Sequence, residues 1–239
     1  MARAAALLTA LLLAGPAVAQ GLPQVLSARF DEPTTRYDHG VLGDAVEWGA
    51  LRITARTGGT TAEYTIRLPE TRVFEDVAPR LADLDGDGNP EVLVVETDLG
   101  RGARLSAWRI GGETLVAATP YIGQAHRWLA PLGAADLDGD GHVEVAYVDR
   151  PHLARVLRVW RFRDGAFQEV AQAAGLTNHK IGWDHIPGGL RNCGQGWEMI
   201  TADGAWRQVM ASRLEGERIV TRALGPYSAE AMAQAVSCR

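Results

Sequence analysis

One nine-residue loop occurs twice in this chain, and it limits the fold more than any other feature. Asp83-Leu84-Asp85-Gly86-Asp87-Gly88-Asn89-Pro90-Glu91 is matched, 53 residues further on, by Asp136-Leu137-Asp138-Gly139-Asp140-Gly141-His142-Val143-Glu144. Carboxylates at alternate positions, with glycines at the fourth and sixth, describe a tight turn around a hard cation. Calcium takes six to eight oxygen ligands at about 2.3–2.6 Å. A short stretch of chain supplies that many oxygens only by turning sharply, and glycine tolerates the positive φ such a turn needs. A merely solvated acidic turn would account for one copy, but less readily for two in register.

Charge follows the same division. Without Arg3 the chain carries 23 basic and 29 acidic residues; eight of the acids lie in the two loops, so the remainder is net +2. The negative charge is thus concentrated where a cation would neutralise it. No basic stripe argues for nucleic acid. Every basic residue except Lys180 is arginine.

Residues 1–19 read as a cleavable signal peptide. Arg3 is followed by the apolar run Ala4 to Ala14, and Ala17-Val18-Ala19 ends in the small-x-small pattern before Gln20. The run is too short to span a bilayer comfortably, no cysteine follows the cut for a lipid anchor, and no later stretch approaches a membrane span. The expectation is a periplasmic or secreted protein with a mature chain of about 220 residues, 20–239, folded as a single domain. Cys193 and Cys238 are an even pair in an exported chain, and one disulfide between them is expected. It requires their Cα atoms to come within about 7 Å.

Four repeats fill the mature chain, over about 37–70, 73–120, 126–172 and 179–222, with a tail at 223–239. After each acidic loop comes an apolar run, Val92 to Val95 and Val145 to Val148. Next comes a strand-like segment, Leu105 to Ile110 and Leu157 to Phe162. A turn (Gly111-Gly112-Glu113; Asp164-Gly165) then leads into a further short segment. Such runs between turn residues mark antiparallel strands. The register aligns Arg67, Arg109, Arg161 and Arg213, and upstream it aligns Glu47, Glu91, Glu144 and Glu198. The outer repeats lack the aspartates: His39, Val41 and Gly43 stand in the first, and Leu190, Asn192 and Gly194 in the fourth. A bridge from Cys193, inside the degenerate fourth loop, to Cys238 would pin a short helix over Ala229–Ala235 onto the last repeat, a covalent staple in place of an ion.

The segments Leu132 to Gly141 and Leu81 to Gly88 resemble the FG-GAP/VCBS repeat family, best known from the propellers of integrin α-subunits. The resemblance is specific over about residues 70–165. It implies that each loop joins two strands of a blade and holds Ca²⁺, two ions in all. The implied ligands are Asp83, Asp85, Asp87, the Asn89 carbonyl and Glu91, then Asp136, Asp138, Asp140, the His142 carbonyl and Glu144. Glutamate at the ninth position departs from the family's common aspartate, and its longer arm would reach the ion more loosely or through water. An EF-hand would need a glutamate at its twelfth position, where this chain has Val94 and Tyr147. The fold expected is all-β, a small propeller-like assembly of about four antiparallel blades. Val25 to Phe30 would add a strand to the last blade and close the ring.

Beyond the metal the chain shows no nucleophile elbow, zinc helix or phosphate loop. His126 and His179 precede equivalent loop starts, and with Asp184 and His185 they would form a catalytic cluster if the fold gathered them in one cleft. Trp108 and Trp160 sit in equivalent strands and are expected to pack between blades. Trp128 and Trp183, with His126 and His179, are the candidate ligand-binding residues. The arginine ladder is expected to pair with carboxylates or to cover blade edges, the alternative being an anionic ligand. The function expected is binding, with a protein or glycan as partner and structural Ca²⁺. The alternative is a lectin-like protein or a carbohydrate-active enzyme, although the chain leaves no room for a separate catalytic domain.

Overall fold

The computed structural model describes residues 23–111 and 114–239. The expected signal peptide and its cut after Ala19 lie outside the described residues, as do Gly112 and Glu113. The described chain is all-β, antiparallel strands with one short helix.

Each repeat contributes one blade, the first two joined in a single eight-stranded sheet where Trp48 pairs with Phe74, the third and fourth forming separate sheets. The first contains β1 (Gln24–Thr34), β2 (Glu47–Thr57) and β3 (Thr60–Arg67). The second contains β4 (Arg72–Phe74), β5 (Arg80–Ala82), β6 (Glu91–Asp98), β7 (Gly102–Arg109) and β8 (Thr114–Ala118), with β4 and β5 both paired to β6. The third is the meander β9 (Leu129–Ala135), β10 (Glu144–Asp149), β11 (Val156–Arg163) and β12 (Ala166–Ala174). The fourth contains β13 (Leu176–Thr177), β14 (Gly189–Asn192), β15 (Trp197–Asp203), β16 (Gln208–Glu215) and β17 (Arg218–Pro226). Asp164-Gly165 closes the β11–β12 hairpin with positive φ at both residues (51° and 73°), as a type I′ turn requires.

Strand periodicity explains how blades stack. Successive side chains of a strand point to opposite faces, so one apolar run fills two interfaces. Val92 and Val94 of β6 pack with Leu51, Ile53 and Phe74 toward the first blade. Leu93 and Val95 face the third blade with Val145 and Tyr147. Ala146, between those two, turns toward Met199 and Leu214 of the fourth. Trp108 and Trp160 lie in successive interfaces, as expected of inter-blade packing.

The end blades have no further blade to cover them and are protected differently. The outer face of the first carries Arg29, Asp31, Arg52 and Glu63 in mutual ion pairs, with Arg67 on Glu32. The fourth is covered by α1 (Ala229–Val236), whose Met232 and Ala235 pack on Ile200, Ala202, Val209 and Ala211. Ser228 caps this helix by accepting from the Ala231 N–H at 2.9 Å. The Cys193–Cys238 disulfide, Cα atoms 5.7 Å apart, ties its end to the fourth loop. A polar face and a capping element are what the ends of a repeat array need.

The structure corrects the expected closing strand. Val25 to Phe30 belongs to β1, which pairs with β2 in the first blade (Phe30 opposite Leu51) and not with the last. The first blade therefore takes its inner strand from upstream of 37–70, and Phe30 stacks on Phe74 at 5.7 Å. Among the described residues no hydrophobic cluster joins strands of the first and fourth blades. They meet through loops alone: the Gly182 N–H donates to the Val41 carbonyl at 3.0 Å. Gly43, at φ +102°, lies so close to Gly182 that a Cβ there would fall 2.9 Å from its carbonyl oxygen.

Candidate metal centres and a histidine-lined cavity

The two acidic loops are built by the same hydrogen bonds. Asp83 accepts from the N–H groups of Gly86 and Gly88, both at 2.9 Å; Asp136 accepts from Gly139 and Gly141 at 2.8 and 3.0 Å. Glu91 Oε2 accepts from Leu84 N at 3.0 Å, and Glu144 Oε2 from Leu137 N at 2.8 Å. All four glycines have φ between +75° and +89°. The turns gather oxygens of Asp83, Asp85 and Glu91, and of Asp136, Asp138 and Glu144, within 4.8 Å of one another. An all-carboxylate donor set suits a hard divalent cation and not a soft one.

The remaining expected ligands are placed differently. Asp87 and Asp140 lie outside these triads, and each accepts a bond within the loop, from Asn89 N (2.8 Å) and His142 N (2.9 Å). The Asn89 side chain reaches the start of the first blade, accepting from Val25 N and donating to the Pro23 carbonyl. Each triad also carries one arginine. Arg109 bonds Asp85 and Glu91; Arg161 bonds Asp138 (2.6 Å), Glu144 (2.5 Å) and Asp140 (3.0 Å). The fully buried glutamate thus anchors loop to blade as well as facing the centre.

The outer repeats show what happens to that glutamate without the aspartates. Glu198, 5% exposed, is held by Arg191 (2.6 Å), Arg213 (3.0 Å) and Arg222 (2.8 Å). Burial opposes its charge, but the three guanidiniums win and hold the carboxyl at about 2. The charge of Glu198 is thus balanced by guanidinium. Among the described residues Glu47 has no such partner, and Arg67 turns to Glu32. Burial first, then Glu75, Asp44 and Asp76, push its carboxyl up to about 9.

A cavity of about 300 Å³ opens where loops of the first, third and fourth repeats converge. His39, His126 and His152 line it with Trp128, Arg127 and Arg150. Leu153 and Ile181, 63% and 71% exposed, form an apolar part of its wall and are the most exposed large hydrophobics among the described residues. Each imidazole is oriented from outside. His39 Nδ1 lies 2.5 Å from Glu75 Oε1, a fully buried carboxyl whose other oxygen accepts from Thr97 at 2.5 Å. His126 stacks on Tyr37 at 5.0 Å, and its Nε2 lies 3.1 Å from Asp38. His152 Nε2 meets His179 Nδ1 at 3.0 Å, and His179 Nε2 faces the Trp183 carbonyl at 2.9 Å. A carbonyl only accepts, so His179 donates from Nε2 and accepts from His152 at Nδ1. Burial, then His179 and His39, lower His152 to about 4.

Of the candidate ligand residues, His126 and Trp128 line this cavity. Trp128 is 2% exposed and donates to the Glu75 carbonyl at 2.8 Å, so it offers no open stacking face. His179 lies buried behind His152. Trp183 points elsewhere, with His185 stacked on it and Asp184 bonded to His185; that pair does not join His126 and His179 in one cleft. Sequence reasoning missed Glu75 and the role of His39. The only signal was His39 at a ligand position of a degenerate loop.

The arrangement is a stack of antiparallel blades in which each acidic loop connects two paired strands of one blade, β5 to β6 and β9 to β10. Residues 83–147, which span both loops and the strands between them, match the family described as FG-GAP-like repeat. No curated protein is detectably similar to the chain. A similar solved structure is described as "Crystal structure of exotype rhamnogalacturonan lyase YesX", with 14% identity, 85% of this chain covered and a TM-score of 0.48. The alignment spans about half (48%) of that chain. The architecture here rests on the strand pairing itself. Among the described residues no helix is long and apolar enough to cross a membrane.

Proposed function

We propose that this protein is an exported calcium-binding module, a single domain over 20–239 in which two structural Ca²⁺ ions stiffen a blade stack that presents a ligand cavity. The observation that carries the reading is the repetition of one hydrogen-bonded loop with three converging carboxylates at both 83–91 and 136–144. The ligands proposed are Asp83, Asp85, Asp87, Asn89 and Glu91 in one site, and Asp136, Asp138, Asp140, His142 and Glu144 in the other. The ions bind structurally, each close to a blade arginine. Export to the periplasm or beyond, with cleavage after Ala19, accords with a disulfide, which persists in oxidising compartments.

The ligand site is the cavity, with His126 and Trp128 in its wall and His179 supporting His152. Its apolar wall and imidazoles suit a glycan face or a protein segment. A carbohydrate-active enzyme is the second reading, favoured by one observation: the buried Glu75 orients His39 at the cavity as a carboxylate orients a general base.

The test is a calcium titration of the mature chain after EDTA, with bound metal counted by elemental analysis. About two ions per chain are expected. At 100 times the dissociation constant each site adds about 2.7 kcal/mol, a rise of roughly 5–10 °C per site for a chain of this size. Asp85→Ala with Asp138→Ala should abolish both count and shift. Absence of bound calcium and of any shift in the unmodified chain would overturn the reading.

A further inference from the structure

The chain's only lysine, among 24 basic residues, sits in an aromatic cage. Lys180 Nζ lies 4.7 Å from the centroid of Trp206, 5.1 Å from Trp183 and 5.9 Å from Tyr227. The three rings come from separate places: the segment between β13 and β14, the β15–β16 turn, and the chain just beyond β17. Trp206 meets Trp183 edge-on at 5.3 Å and 68°, and Tyr227 at 4.8 Å and 79°. His185 backs Trp183 in a parallel stack at 5.0 Å.

Two further observations set this cluster apart from incidental surface packing. Trp206 holds φ at +56°, a left-handed conformation rare for a bulky residue, and its turn is fixed by Asp203, which accepts from Arg207 N and Gln208 N. Lys180 itself has no carboxylate partner among the described residues, whereas most arginines of the chain do. Its ammonium is held by ring faces alone. A simple clamp would be served at least as well by arginine, which stacks on aromatic planes. A compact ammonium among three rings is the geometry that recognises quaternary ammonium groups.

We propose that Trp183, Trp206 and Tyr227 form a binding site for a quaternary ammonium group, and that Lys180 is a tethered occupant which the ligand displaces. A quaternary ammonium offers no N–H to water, so it loses less hydration than a primary ammonium on entering the cage and keeps the same attraction to the ring faces. Lys180, on an exposed and flexible stem, leaves readily. Its presence lowers the apparent affinity by the fraction of time the cage is free: a cage occupied nine-tenths of the time weakens binding about tenfold. The site lies apart from the calcium loops and borders the histidine cavity, since the Trp183 carbonyl accepts from His179.

Tetramethylammonium chloride is titrated into the mature chain at constant calcium, read by tryptophan fluorescence against sodium chloride at matched ionic strength. Saturable binding is expected, about tenfold tighter in Lys180→Ala, and absent when Trp206→Leu is added to it. Lys180→Gln keeps the stem length and serves if the alanine variant loses its native near-ultraviolet circular dichroism. Free choline and phosphatidylcholine vesicles separate the two sources of this headgroup: choline alone indicates a soluble ligand, and vesicle binding that choline competes indicates a lipid surface. A folded Lys180 variant that responds to tetramethylammonium no differently from sodium would overturn the proposal. So would binding that survives loss of Trp206.

Discussion

Replacing both cysteines by serine tests how the last blade is held. The bridge joins residues 45 apart in sequence, so in the unfolded chain it closes a loop of that size. Loop-closure entropy puts the stabilisation at about 4 kcal/mol at 25 °C. The loop contains β15, β16 and β17 of the fourth blade and α1 that covers it. After the bridge is removed the cap keeps the burial of Met232 and Ala235, the edge packing of Ala231 and Val236, one N-cap, and the Arg191 guanidinium donating to the Ala235 carbonyl at 2.7 Å. That is a weak hold on an eight-residue helix, since isolated helices shorter than about 12–15 residues are marginal in water. For a chain of this length 1 kcal/mol corresponds to roughly 2–4 °C. Cys193→Ser/Cys238→Ser should therefore melt some 8–16 °C below the parent in calorimetry at fixed calcium, and amide exchange should rise first in α1 and then in β15. Both cysteines are exposed, so reduction of the parent should give the same shift. A double variant melting within 2 °C of the parent, with α1 still protected, would refute the reasoning.

Three other perturbations follow from the repeat glutamates and the loop turns. Glu198 is held at about 2 against 4.5 for the free side chain. Its contribution, at most about 3 kcal/mol, is complete above pH 4.5 and lost as pH falls toward 2; Glu198→Gln should remove it at pH 7 and flatten the acid limb of a denaturation series. Glu47 titrates the other way: with its carboxyl raised to about 9, the native state keeps a proton that the unfolded state releases. Its burden is absent below pH 4.5 and grows as pH rises toward 9, so Glu47→Gln should gain stability over the parent across that range in urea titrations, and an equal or lower midpoint at pH 8 would sink the idea. Gly139 has open space for a Cβ but sits at φ +81°. Gly139→Ala should cost about 1–2 kcal/mol in metal-free protein, from backbone strain alone, measurable as a shift in the denaturant midpoint.

What the sequence by itself determined is what it encodes locally. The loop carboxylates lie within nine residues, and the Asp83 and Glu91 bonds that shape the first loop span three to seven positions, so contiguous residues specify the turn wherever the blade goes. The apolar runs read correctly for the same reason: strand alternation assigns Val92 and Leu93 to opposite faces without reference to anything distant. The short helix at the end, and the pairing of the only two cysteines, were legible too. Tertiary structure decided the rest. His39 meets Glu75 across 36 residues, Trp128 reaches Glu75 across 53, and His126 reaches Asp38 across 88. Those contacts exist only because three separately encoded repeats bring their loops to one place. The cage around Lys180 likewise joins rings from three separated segments, all of the fourth repeat and the tail, and β1 has a pattern that fits an edge on either terminal blade, its partner settled by Phe30 against Phe74. A metal loop is written in consecutive residues, whereas a cavity is written in the packing of elements whose relative position no local pattern records.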